Sequence, residues 1–355
     1  KDTTQFRNLP INASQVIAVD YDNDSDLDII ITSDQVPHAF GKSPKQYLFE
    51  NDGSGNFADV TLAVAPDLHA LGNITDLSCV DVNHDGLEDI VAVGHWMPIS
   101  ILLNDGKTFT LQKNQSLETT HGWWNTVKVV DFDKDGDLDI VAGNWGLNSK
   151  FKASVEEPIT LYSADFDNNG SVEPLVTYFH KHQETPFASK DELTKQMPGL
   201  NKKFLSYKAF ANQGIADLFG TKNLEGAYKK RVYELASCYF INDGTGNFKK
   251  RILPFASQVS TVNDLWIEDF DQDGYTDILA VGNDYQISTQ LGRMDASHGV
   301  FLRFDKKNAF ESPVDWKVNI PGAARKIEKI TIASQPFYIV GINDGAPIFL
   351  SKKEQ

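Results

Sequence analysis

The sequence predicts an all-β protein, a β-propeller of four-stranded antiparallel blades, six by count with seven as the alternative, carrying one helical insertion. Three observations predict it. An acidic nine-residue loop recurs five times, β-like apolar runs flank the clearest copies, and an Asn-Asp-Gly turn recurs downstream of several of them. Self-similarity of this kind marks a repeat architecture, in which each unit is one supersecondary element packed on the next.

The five loops are Asp20-Tyr-Asp22-Asn-Asp24-Ser-Asp-Leu-Asp28, Asp81-Val-Asn83-His-Asp85-Gly-Leu-Glu-Asp89, Asp131-Phe-Asp133-Lys-Asp135-Gly-Asp-Leu-Asp139, Asp165-Phe-Asp167-Asn-Asn169-Gly-Ser-Val-Glu173 and Asp269-Phe-Asp271-Gln-Asp273-Gly-Tyr-Thr-Asp277. Oxygen-bearing side chains at positions 1, 3, 5 and 9 can converge on one hard cation. Glycine at position 6 permits the sharp turn, and a backbone carbonyl can add a further oxygen. No Cys or His holds a ligand position, so the chemistry suits calcium over a transition metal, at up to five sites. An EF-hand would need a bidentate Glu at position 12 and flanking helices, and neither is present. Metal-free Asx turns use the same residue types, but five loops in one register favour the metal. Ser25 replaces the glycine in loop 1, and Asn169 and Glu173 depart from Asp in loop 4, so these two loops are expected to bind most weakly.

Each clear loop joins two strands. Val16-Ile-Ala-Val19, Val127-Lys-Val-Val130 and Leu265-Trp-Ile267 precede loops, while Ile29-Ile-Ile-Thr32, Ile90-Val-Ala-Val93, Ile140-Val-Ala142 and Ile278-Leu-Ala-Val281 follow them. Downstream come Leu48-Phe-Glu-Asn51-Asp-Gly53, Ile101-Leu-Leu-Asn104-Asp-Gly106 and Tyr239-Phe-Ile-Asn242-Asp-Gly244. Asn, Asp and Gly tolerate the positive φ of tight hairpins, so each is a turn between strands. One unit therefore reads strand A, acidic loop, strand B, connection, strand C, Asn-Asp-Gly turn, strand D. Such blades repeated radially make a propeller. These loops and turns resemble FG-GAP/VCBS-type repeats, as in integrin α-subunit propellers, the cartilage acidic protein family and bacterial exported proteins. The resemblance implies that the loops are structural calcium sites between strands A and B.

The repeat is irregular. The loops at Asp131 and Asp165 start too close together for four ordinary strands, so the blade beginning near Val127 is expected to be abbreviated. Ser189-Lys-Asp-Glu192 is a capping box, and residues 181–236 read as a mainly helical insertion within a single domain spanning 1–355. Ile327-Glu-Lys-Ile-Thr-Ile332, Phe337-Tyr-Ile-Val340 and Ile348-Phe-Leu350 supply three C-terminal strands, and Phe6-Arg-Asn-Leu-Pro10 is expected to complete that last blade.

In a blade of this order the A–B and C–D connections share one face and the B–C and D–A connections share the other. The second face then gathers His95, Trp96, His121, Trp123, Trp124, Asn144, Trp145, Asn283, Tyr285, Arg293 and Asp295, an aromatic and polar set suited to a small polar ligand such as a sugar ring. Packing between blades or under the insertion is the competing reading, and adjacent Trp123 and Trp124 cannot both point the same way along a strand. His180 and His182 lack a third ligand and read as solvated. The basic runs Lys229-Lys-Arg231, Lys249-Lys-Arg251 and Lys306-Lys307 read as solvated surface. Asn12, Asn73 and Asn114 begin glycosylation sequons.

The chain has 355 residues, is 41% hydrophobic and carries a formal charge of −16. It can bury a large core, and the charge argues against a nucleic-acid partner. No run is long and apolar enough to span a bilayer, and the first residues lack the apolar core of a signal peptide, so an exported protein would have lost its signal. Cys79 and Cys238 are too few for a disulfide framework and read as buried free thiols. No nucleophile elbow, P-loop, zincin or dinucleotide fingerprint occurs. The expected role is a calcium-binding interaction module of an extracellular, cell-surface or periplasmic protein, with a protein or glycan ligand and no catalytic residue assigned. The alternative is a carbohydrate-active lyase or dehydratase using His95, His121, Tyr285 and Arg293.

Overall fold

Each acidic loop turns the chain back on itself, and the β-branched runs on either side pair as an antiparallel ladder. A computed structural model describes residues 6, 9, 11–211, 213–305 and 309–351. The first sheet has the order β1 (Ala13–Val19), β2 (Asp28–Ser33), β3 (Tyr47–Asn51), β4 (Phe57–Asp59). Two single-turn helices, α1 (Thr61–Val64) and α2 (Pro66–His69), lead to the second sheet, β5 (Asn73–Val80), β6 (Asp89–Met97), β7 (Ser100–Asn104) and β8 (Phe109–Leu111), with β9 (Gly122–Trp123) paired to the far end of β6.

The third sheet begins with β10 (Thr126–Val130) and β11 (Asp139–Gly143) and is then interrupted. The insertion is itself built on a sheet: β12 (Ile159–Ala164), β13 (Glu173–His180), β14 (Gln183–Pro186), five short helices, then β15 (Tyr228–Val232), in the spatial order β14-β13-β12-β15. The helices are α3 (Lys190–Gln196), α4 (Gly199–Lys203), α5 (Tyr207–Ala211), α6 (Ile215–Phe219) and α7 (Thr221–Gly226). The Ser189 capping box opens α3: Ser189 Oγ accepts from Glu192 N at 3.3 Å, and Glu192 Oε2 accepts from Ser189 N at 2.7 Å. The helices bury Leu193, Met197, Leu218 and Phe219 against Tyr162 and Phe166 at the end of β12. After the insertion, β16 (Cys238–Asn242) pairs with β11 and β17 (Phe248–Ile252) with β16, completing the third sheet. The blade near Val127 is therefore interrupted and not abbreviated. The 181–236 segment holds the helices, but it also supplies β14 and β15, and the inserted unit starts earlier, at β12.

The fourth sheet is β18 (Val262–Glu268), β19 (Asp277–Gly282), β20 (Val300–Asp305), β21 (Ala309–Glu311), and the fifth is β22 (Ala323–Ile332), β23 (Gln335–Asn343), β24 (Ile348–Leu350). Among the described residues six sheets result, five in series and one inserted. The first strands pack in the order β1, β5, β10, β18, β22. Side chains stitch them together. Gln15 Oε1 accepts from Leu77 N at 2.9 Å, Asp76 Oδ2 from Val127 N at 2.9 Å, and Asp264 Oδ2 from Ile327 N at 2.9 Å. Pairing irregularities lie beside Gln15, Asp76 and Asp264; a bulge re-aims the side chain, here toward the next sheet's free N–H.

Among the described residues no strand pairing joins the fifth sheet to the first. Phe6 packs on Phe49 and Phe57 of the first sheet, with ring centroids 5.0 and 5.7 Å apart, and Leu9 joins the same cluster. These two cover the first sheet, and the fifth has three strands among the described residues; Arg7, Asn8 and Pro10, on which the expected closing strand also falls, lie outside the described residues, as do Lys306 and Lys307. Cys79 and Cys238 are free thiols, Cys238 fully buried and Cys79 partly exposed. Asn73 is also buried, its Nδ2 donating to the carbonyls of Asp34 and Lys42, so its sequon is not presented to solvent.

Candidate metal centres

The five loops share one backbone path. Position 4 has positive φ in every copy (Asn23 59°, His84 60°, Lys134 63°, Asn168 58°, Gln272 63°), and so does position 6, where Ser25 at 76° does what glycine does elsewhere. The first Asp of each loop accepts from the backbone N–H of position 6, as in Asp81 Oδ2 with Gly86 N at 2.8 Å and Asp165 Oδ2 with Gly170 N at 2.8 Å. Position 5 closes the next turn: Asp24, Asp85, Asp135, Asn169 and Asp273 each accept from the N–H two residues on.

Position 9 holds the loop to the rest of its sheet. Asp139 is fully buried, its Oδ2 accepting from Phe132 N at 3.0 Å and its Oδ1 from Asn242 N at 2.8 Å. Asp28 does the same with Tyr21 N and Asn51 N, Asp89 with Val82 N and Asn104 N, and Asp277 with Phe270 N and Phe304 N, while Glu173 accepts from Phe166 N. In three sheets the Asn of the Asn-Asp-Gly turn completes the clamp. Asn51, Asn104 and Asn242 donate Nδ2 to the position-8 carbonyls of Leu27, Glu88 and Leu138. Loop and turn thus share a face because they are bonded to each other. Neighbouring loops touch as well: Asn23 Nδ2 donates to Gly86 O at 3.2 Å, and His84 Nε2 lies 2.9 Å from Gly136 O.

Carboxylates converge within 4.8 Å as Asp20, Asp22 and Asp28; Asp131, Asp133 and Asp139; Asp165, Asp167 and Glu173; and Asp269, Asp271 and Asp273. Loop 2, with Asn83 at position 3, forms no three-carboxylate group among the described residues; there Asn83 Nδ2 donates to Asp85 Oδ2 at 2.9 Å. Within the clustered loops, Asp22 Oδ1, Asp26 Oδ1, Asp167 Oδ1 and Asp269 Oδ1 are buried without a hydrogen-bond partner. Buried carboxylate oxygens without donors are costly, and a cation is the partner that an all-oxygen set accommodates. Burial, reinforced by neighbouring carboxylates, pushes Asp28 and Asp277 up to about 6 and Asp139 up to about 7. Asp26, at position 7, is a further candidate oxygen that the loop pattern did not single out.

The second face is largely occupied. Trp124 is fully buried, donating Nε1 to Thr120 O at 2.8 Å. Trp123 meets Trp96, Trp145 and Phe151 edge-on at 5.3, 5.2 and 5.4 Å, in a cluster that includes Ile159 and Leu161 of β12 and Val232 of β15. These tryptophans join the inserted sheet to the series of five. Asn144 is buried, with Oδ1 accepting from Trp123 N and Trp145 N, and Asn283 is buried, with Nδ2 donating to Ser297 O and Gly322 O, so both organise connections. Arg293 lies over the Tyr285 ring at 4.3 Å, and Asp295 is exposed nearby in sequence. His95 and His121 are held below the ordinary histidine range by burial. They line two adjoining clefts of about 1250 and 350 Å³, whose walls include neither Tyr285 nor Arg293. The exposed His182 pairs with Glu157 at 2.6 Å. Lys230, expected in solvent, is instead 9% exposed in the cleft wall. The missed signal was strand alternation, which sets Lys230 with Val232 and apart from Lys229 and Arg231.

No curated protein matches the chain at a significant level. Among solved structures it is similar to the V. cholerae biofilm matrix protein Bap1, at 9% identity and a TM-score of 0.31, covering 92% of this chain; the chain spans 65% of that one's length. The family profile described as FG-GAP-like repeat matches residues 20–92 and 81–142, which contain the first three acidic loops. Residues 20–142 of this chain are thus similar to FG-GAP-like repeats.

Proposed function

We propose that the chain is a calcium-binding interaction module of an extracellular or cell-surface protein, its five serial sheets arranged radially as one propeller-like domain that presents a surface to a protein or glycan partner. The observation that carries the calcium reading is the set of buried, donor-less carboxylate oxygens at the centres of the acidic loops. Calcium takes six to eight oxygens and tolerates irregular geometry, which suits loops that combine several carboxylates with backbone carbonyls. The radial reading is supported by the stitch that recurs at three of the four steps between first strands, through Gln15, Asp76 and Asp264, and by the loop-to-loop contacts of Asn23 and His84. Four of the five loops contribute nothing to the clefts, which supports a structural metal there, while Ser171 and Val172 of the fourth loop line the larger cleft. Elemental analysis after dialysis against calcium, paired with glycan arrays probed in calcium and in EDTA, tests the reading. Bound calcium and glycan retention that EDTA abolishes support it; protein purified in calcium that holds none sinks it.

A further inference from the structure

The chain carries a formal charge of −16, yet the smaller cleft, about 350 Å³, is lined by Lys229, Lys230, Arg231 and His121 and, among the described residues, by no carboxylate. Lys230 is the least ordinary of these. Its ammonium is buried, donating to Ser43 Oγ at 2.9 Å and to Asn73 Oδ1. Both partners are neutral, and an ammonium has a third donor. Among the described residues none of Lys229, Lys230 and Arg231 forms an ion pair with a carboxylate. By contrast, the buried Asp264 is flanked by Lys326 and Lys128, and Lys250 is paired with Glu234. A buried cation without a counter-charge is destabilising, and desolvation alone holds Lys230 down to about 8.

From this arrangement we infer that the cleft between β15 and the α2–β5 and β8–β9 connections is a binding site for a small molecule bearing an oxyanion, a carboxylate or phosphate group, with Lys230 as its buried anchor and Arg231 at the mouth. The geometry is consistent on three counts. The volume suits a ligand of monosaccharide size or smaller. Arg231 acts electrostatically on His121, so its charge belongs to the same cleft. The larger cleft of about 1250 Å³ shares Ser43, Trp96 and Tyr228 with the smaller one, which gives the uncharged remainder of a ligand somewhere to lie. Among the described residues Asp34 is the one carboxylate in the larger wall, so the anionic group is directed to the β15 end.

This inference rests on the reading of the chain as a binding module, and it is independent of calcium. The test is isothermal titration of the full chain, in calcium, with inorganic phosphate, with glucuronate, and with glucose as the uncharged control. Glucuronate or phosphate binding with no response to glucose is expected, and which anion binds more tightly separates the two sources. Lys230→Met should weaken binding at least tenfold. Because a buried substitution can disturb folding, the exposed Arg231→Gln serves as the second variant, with several-fold weakening and an unchanged melting temperature expected. Lys249→Gln, in an exposed basic run outside the cleft, should bind as the parent does. Absence of phosphate and glucuronate binding up to about 10 mM, where even a weak site of a few kcal/mol would register, overturns the inference. So does equal weakening by Lys249→Gln, or full affinity in both cleft variants. None of these outcomes touches calcium content, so failure here is distinguishable from failure of the module reading.

Discussion

Replacing Asp139 isolates the clamp from the metal. The side chain is fully buried and accepts two backbone hydrogen bonds, from Phe132 N in the loop and Asn242 N at the end of β16. Alanine would strand both donors. Each unsatisfied buried N–H costs about 1–3 kcal/mol, so D139A should lose about 2–6 kcal/mol. Relief of repulsion from Asp133 and Asp135, which helps to raise the Asp139 carboxyl, pulls the value toward the lower end. D139N keeps one acceptor oxygen and turns an amide donor toward the other N–H, so it should fall between parent and alanine. The assay is urea unfolding followed by tryptophan fluorescence at pH 7.5 in EDTA, where any ligand role is silent. A loss below about 0.5 kcal/mol for D139A would refute the clamp, because surface substitutions of no structural consequence fall in that range.

Three further outcomes are expected. Ser25→Gly should stabilise by about 0.5–1 kcal/mol, since Ser25 holds a φ of 76° at a left-handed cost of about 1–2 kcal/mol, partly offset by glycine's greater unfolded-state entropy; a destabilised variant in thermal melts contradicts this. Gly282→Ala should cost about 1–3 kcal/mol in urea unfolding, because a Cβ there would meet Thr261 O at 1.8 Å, and a neutral result would mean that the β18–β19 approach is looser than described. Asp28, Asp139 and Asp277 titrate above their unfolded range, at about 6 to 7. As pH falls through that window they take up protons that stabilise the metal-free fold and compete with the cation. The calcium-induced rise in melting temperature should therefore shrink between pH 7.5 and 5.5, and an increment constant over that range is the contrary result.

The local pattern carried much of the architecture. Acidic loops between apolar runs became A–B hairpins, Asn51, Asn104 and Asn242 became C–D turns, and Ser189 with Glu192 capped a helix, because each is decided within a few residues. What escaped was long-range. The strand Cys238–Asn242 reads as a C strand from its own sequence, but nothing local says that it pairs with β11 across the whole insertion. Position 9 reads as a metal ligand from spacing, and the structure keeps Asp28, Asp139 and Glu173 within the carboxylate groups; what spacing does not show is that the same carboxylates accept backbone N–H groups and hold the loop to its sheet. Aromatic side chains suit either a sugar or a second sheet, and sequence cannot divide them: Trp124 is fully buried, Trp123 and Trp145 pack with the inserted sheet, and Trp96 also lines both clefts. Lys230 is hidden inside a basic run whose other members are more exposed, Lys229 half-buried and Arg231 exposed.

The most direct test of the central claim is thermal unfolding of the full chain in excess EDTA, in buffer, and after calcium is titrated back. A cation bound by the folded loops and not by the unfolded chain must raise the melting temperature in proportion to the logarithm of its concentration. The account predicts a large loss in EDTA that calcium restores. An EDTA-stripped protein, shown free of calcium by elemental analysis, that melts at the same temperature with and without millimolar calcium would contradict it.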